Sequence, residues 1–147
     1  MSSGLKIEVS LLSNLSIMSE FACNMRLSRE STIIQNNPSK FWSVTPGVSP
    51  HHWDAEIHNL DDKRHRCRKY RMSIELPQLY PFAPPKCKFL DRVRCENVYE
   101  DGRICIDILD DKAWSPIYTI PFLLESIVSV LTDKPVTGLI NKAMPSY

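Results

Sequence analysis

The chain lacks the features that would mark a membrane, a secretory route or a metal. Its five cysteines (Cys23, Cys67, Cys87, Cys95 and Cys105) are odd in number and include no C-x-x-C pair. That argues against a disulfide framework and a structural zinc site, and fits a reducing cytosolic or nuclear compartment. Charge of one sign is also missing: 18 Lys and Arg against 17 Asp and Glu leave a net +1. No global field therefore draws the chain to nucleic acid or an anionic membrane. There is no long hydrophobic run. The best stretch, Ile120 to Leu131, is interrupted by Pro121, Glu125, Ser126 and Ser129, too short and too polar to span a bilayer. The N-terminus has neither the basic start nor the long apolar core of a secretory signal. His51, His52, His58 and His65 have no companions at metal-ligand spacing, so no metal is expected, nor any other cofactor. No internal repeat is present.

What is present suits one folded domain. A length of 147 residues favours a single core. Residues 1–18, rich in Ser, Leu and Asn, are expected as a flexible or loosely docked extension, leaving a core domain at 19–147. A helix is expected from about Glu20 to Asn36. Phe21, Met25, Ile33 and Ile34 share its buried face, Arg26, Arg29 and Glu30 lie outside, and Pro38 stops it. Phe41–Thr45, His52–His58 and Tyr70–Leu76 alternate apolar with polar residues, as strands with one wet face do. Trp42 and Trp53 are packing residues in this reading. Pro85–Phe89 is a fourth strand candidate. The prolines of Leu79–Pro85 predict an extended, rigid loop. Thr119 is placed to cap a helix over Ile120–Leu131. Consecutive strands flanked by helices make an α+β pattern.

The chemistry concentrates in one segment. A turn at Glu100-Asp101-Gly102 delivers Cys105, with Asn97 eight residues before it and Asp107 two after. A thiol beside a neutral hydrogen-bond donor is suited to acyl transfer through a thioester, because a thiolate is both a nucleophile and a leaving group near neutral pH. The other cysteines read as structural or incidental. The basic run Lys63–Arg71 is read as a solvated hairpin edge rather than a nucleic-acid site, since Tyr70 is the one aromatic within it.

Several motifs in order make the chain resemble the ubiquitin-conjugating enzymes. They are Arg26-Leu27-x-Arg29-Glu30, Tyr80-Pro81-Phe82-x-Pro84-Pro85, Asn97 through Gly102 to Cys105-Ile106-Asp107-Ile108-Leu109, and Trp114-Ser115-Pro116 before an apolar helix. The resemblance implies that family's fold: an N-terminal helix, a four-stranded antiparallel meander and a central helix. Because the chain ends at Tyr147, the C-terminal helices are expected to be shortened. It implies that Cys105 accepts ubiquitin or a ubiquitin-like modifier from an activating enzyme, and passes it to a substrate lysine or a ligase cysteine. Asn97 would brace the loop or stabilise the oxyanion, Asp107 would orient the lysine, and Tyr99 would shape its approach. Phe82, Pro116 and Ile117 would form the surface read by a ubiquitin ligase, and Arg26 and Arg29 would dock the activating enzyme.

The departures are specific. Cys95-Glu96-Asn97 stands where the family usually has His-Pro-Asn, so another group must brace the loop. Asp110–Ala113 is one residue longer than usual, and Lys134–Gly138 lacks an aspartate often found there. The alternative reading is a non-catalytic variant acting as a ubiquitin-binding or partner scaffold.

Overall fold

The computed structural model describes the backbone of residues 2–132 and the side chains from residue 10 to 132. Helix α1 (Ser2–Asn36) leads into strands β1 (Trp42–Pro46), β2 (His52–Ile57), β3 (Tyr70–Glu75) and β4 (Lys86–Phe89). A 3-10 turn (Asp107–Leu109) and helix α2 (Ile120–Thr132) follow. The sheet is an antiparallel meander in chain order. The expected turn-rich exit at 133–138, the tail and the shortened C-terminal helices lie outside the described residues.

Alternation places the core. Trp53 faces Ile74, Ala55 faces Met72 and Ile57 faces Tyr70 across β2 and β3, and all six are buried. Asp54 and Glu56 point the other way, as the period of two requires. Ile120, Leu123, Leu124, Ile127 and Leu131 of α2 join the same buried cluster. Each such side chain contributes about 1.5–3 kcal/mol by leaving water. The Thr119 hydroxyl caps α2 by accepting from the Phe122 N–H at 3.2 Å, as its position before the apolar run foretells.

Three expectations are corrected. First, α1 begins at Ser2, not near Glu20, and takes in the residues expected as a loose extension. From Leu5 to Asn36 there is no Pro or Gly to break it. Among its described side chains the buried ones are Cys23, Leu27 and Glu30, with Ile34 packed against the core, whereas Phe21, Met25 and Ile33 are exposed. Glu30, expected outside, is thus wholly inside. The expected stop holds, because Asn37 caps the Ile33 carbonyl with both its backbone N–H and its Nδ2 before Pro38. Second, Leu79–Pro85 is turned rather than extended: the Phe82 N–H donates to Leu79 O at 2.7 Å, and the Tyr80–Pro81 peptide is cis. Third, the basic run links the antiparallel strands β2 and β3 and is mostly exposed, as expected, but it is coiled rather than a plain strand edge. Turns from Asp62 O to His65 N and from His65 O to Arg68 N coil it, and His65 is wholly buried.

Candidate active site

After β4 the chain loops through Cys95 to the active segment, which is held by its own backbone. The Val98 N–H donates to Cys95 O at 3.1 Å. The Tyr99 N–H donates to Arg103 O at 2.9 Å, the Gly102 N–H returns to Tyr99 O at 2.9 Å, and the Cys105 N–H donates to Asn97 O at 2.7 Å. This tight ribbon docks on β4 through the Phe89 N–H, which donates to Gly102 O at 2.8 Å. Gly102 has φ +91°, and an added Cβ would lie 2.1 Å from Phe89 O. Only glycine meets both conditions.

That ribbon braces the loop although Cys95-Glu96 supplies no histidine there. Two side chains add to it. Arg103 donates to the Asp101 carboxylate at 2.6 Å and lies 5.3 Å from the centre of the Tyr99 ring, a cation–π contact. Asn97 Nδ2 donates to the Cys105 carbonyl at 3.0 Å. Asn97 and Cys105 are therefore joined twice, once through the backbone and once through the amide.

The cysteines divide by environment. Cys23 and Cys87 are buried, and burial pushes both thiols up, Cys87 to about 12. Such thiols stay protonated and inert. Cys95 is half-buried, and Cys67 and Cys105 are exposed. Cys105 alone of these two sits beside an amide donor and a phenol. Interaction with the neighbouring Cys105 thiol holds the Tyr99 phenol above its ordinary value, so the phenol stays neutral near the thiol. Asp107 opens the 3-10 turn with its side chain exposed. Asn97, Tyr99, Cys105 and Asp107 are thus brought onto one short exposed segment.

The other expected residues lie on a braced surface. Phe82 is 74% exposed and Ile117 is 56% exposed, and Pro116 is also exposed. Trp114 Nε1 donates to Pro81 O at 2.7 Å, tying the Phe82 turn to the Pro116–Ile117 turn. Arg26 is less available than expected: its Nη2 donates to Tyr118 O at 2.8 Å, and its Nε donates to Glu30 at 2.9 Å. It clamps α1 to the neighbouring turn, and Arg29 is the exposed cation of the pair. Among the described residues no three His, Cys, Asp or Glu side chains gather as a metal site would require.

Sequence reasoning missed two devices. One is Arg103 on Tyr99, for which the spacing Tyr99-x-Asp101-x-Arg103 is the signal. The other is Glu30, which accepts from the Tyr80 hydroxyl at 2.9 Å, from Arg26, and from the Ile120 N–H at 3.3 Å. One carboxylate thereby joins α1, the Phe82 turn and the start of α2. Burial raises its pKa against the opposing effect of Arg26.

Residues 26–145 match the family model described as ubiquitin-conjugating enzyme. Among solved structures, human ubiquitin-conjugating enzyme E2 G1 is similar, with 27% identity and a TM-score of 0.71. That match covers 75% of this chain and 94% of the human one.

Proposed function

Because the chain belongs to the ubiquitin-conjugating enzyme family, we propose that it carries ubiquitin or a ubiquitin-like modifier as a thioester on Cys105. The thiolate attacks the carbonyl of the modifier's thioester on an activating enzyme, and the activating enzyme's thiolate leaves. In the second step a substrate lysine amine attacks the Cys105 thioester. The amide forms, the Cys105 thiolate departs, and the amine proton passes to Asp107 or water. A ligase cysteine in place of the lysine gives a second transthioesterification. ATP is consumed by the activating enzyme, and this chain needs no cofactor.

The observation that carries this reading is the joining of Asn97 to Cys105 on a rigid exposed ribbon. Asn97 Nδ2 lies on the Cys105 carbonyl, so its first role is to fix the loop, and an oxyanion on the acyl group would form beside the same amide. Tyr99, whose phenol is held neutral by the neighbouring thiol, would shape the approach of the lysine. Asp107, exposed two residues past the thiol, is placed to attract and orient a cationic lysine. Phe82, Pro116 and Ile117 form the apolar patch for a ligase, and Arg29 reinforces docking of the activating enzyme. The free cysteines support a cytosolic or nuclear location.

The substitution of His-Pro by Cys95-Glu96 favours a non-catalytic scaffold as the second reading. The two readings separate in a discharge assay. An acyl carrier pre-loaded on Cys105 transfers its modifier to free lysine, and Asp107→Asn slows that transfer. A scaffold forms no thiol-sensitive adduct to discharge.

A further inference from the structure

The acyl-transfer segment leaves one charged feature of the molecule unused. Six of the 18 Lys and Arg lie between residues 63 and 71. Some are balanced locally: Arg64 by Asp62 at 3.1 Å, Arg71 by Asp91 at 2.8 Å, and Lys69 loosely by Glu56 at 3.7 Å. Lys63, Arg66 and Arg68 have no carboxylate partner among the described residues. Arg66, Arg68 and Lys69 are exposed, and together they line a cleft of about 330 Å³ with Asn59, Asp61 and Cys67.

The cleft is built, not a frayed loop. Asn59 and Cys67 both hold left-handed backbone, at φ 56° and 62°, a conformation that a cysteine keeps only where its surroundings enforce it. The enforcement is on the page. His65 is wholly buried with its Nδ1 bonded to the Tyr70 hydroxyl at 2.8 Å. Arg64 also donates to Leu131 O at 3.3 Å, and Asn59 Nδ2 donates to Lys40 O at 3.0 Å. With His65 anchored inside, the backbone that carries the following cations is held in place and their side chains reach outward. Guanidinium forks suit carboxylate and phosphoryl oxygens. Tyr70 is buried, so the cleft offers no aromatic platform on which bases could stack.

We propose that this cleft is a docking site for an acidic segment of a partner protein, whose carboxylate or phosphoryl groups seat among Arg66, Arg68 and Lys69. The site is separate from the Cys105 segment and does not depend on acyl transfer. The segment is held at the end of the sheet where the Leu90 N–H donates to Arg71 O at 2.9 Å, beside the chain that runs on to Asn97.

The test is a titration of the full chain against two labelled peptides, decaglutamate and a neutral peptide carrying two phosphoserines, followed by fluorescence anisotropy. Binding of either peptide supports the site, and which one binds names carboxylate or phosphoryl as the source. The affinity should fall at least about tenfold from 50 to 300 mM salt. Arg66→Gln with Arg68→Gln should weaken binding at least about tenfold at low salt, with an unchanged melting temperature because both side chains are exposed. Arg92→Gln with Arg94→Gln is the control for unspecific basic attraction and should leave affinity within about twofold. The proposal is overturned if neither peptide binds, or if both double variants weaken binding equally. It is also overturned if a single-stranded oligonucleotide of matched charge binds more tightly through Arg66 and Arg68.

Discussion

Replacing Glu30 should loosen the side of the molecule that carries Phe82 and Ile117, and its cost can be worked from the structure. The residue is 1% exposed. Glu30→Ala removes the acceptor for the Tyr80 hydroxyl, the Arg26 guanidinium and the Ile120 N–H together. Breaking one partner of a buried ion pair costs about 3–5 kcal/mol, because the remaining charge is left uncompensated. For a domain of this size, roughly 3–4 °C per kcal/mol, the melting temperature should fall by about 10–20 °C. Glu30→Gln keeps an acceptor for Tyr80 and Ile120 but turns a neutral amide to Arg26, so its cost should be about 1–3 kcal/mol. The pH dependence separates charge from shape. Burial raises the carboxyl pKa of the folded protein, so the folded state holds this proton more tightly than the unfolded chain. The carboxyl's stabilising share is full below the unfolded value of about 4.3 and declines as pH rises through the folded value. The gap between the wild type and Glu30→Gln should therefore shrink over that window and then level off. Thermal melts from pH 4 to 8 measure it. A gap that widens with pH, or a Glu30→Ala cost under about 1 kcal/mol, would refute the reasoning.

Other outcomes follow from the active ribbon and its neighbours. Asn97→Ala should slow lysine discharge more than loading in single-turnover assays; equal slowing of both steps would assign Asn97 to loop bracing alone. Gly102→Ala forces a Cβ against Phe89 O at φ +91°, which should cost about 1–3 kcal/mol and slow charging of Cys105; unaltered melting and charging would contradict the docked ribbon. Phe82→Ala exposes no core and should leave the melting temperature and charging intact while weakening ligase-stimulated discharge, read as the ratio of rates with and without ligase.

The sheet was legible in the sequence because strand periodicity is strict. Trp53, Ala55 and Ile57 alternate with Asp54 and Glu56, and a one-residue slip would bury the carboxylates. The cap at Thr119, the stop at Asn37-Pro38 and the placement of Cys105 were legible for similar local reasons. Helix α1 was not. Apolar residues occur around much of its circumference, so Phe21, Met25 and Ile33 compete with Cys23, Leu27 and Ile34 for the inner face, and periodicity cannot decide between them. What decides is tertiary: Tyr80 and Ile120, from two distant parts of the chain, join Arg26 of the same helix in satisfying Glu30. The coiling of Lys63–Lys69 was hidden for the same reason. Its buried anchor, His65, is polar and surrounded in sequence by cations, and its hydrogen bond to the Tyr70 hydroxyl is visible only in the folded chain.

The most direct test of the central claim is a non-reducing charging assay. The protein is combined with an activating enzyme, ATP and ubiquitin, with ubiquitin-like modifiers in parallel. The account predicts a thiol-sensitive adduct that is lost in Cys105→Ala and becomes a thiol-resistant oxyester in Cys105→Ser. A well-folded protein that forms no adduct with any modifier, or forms one that survives Cys105→Ala, would contradict it.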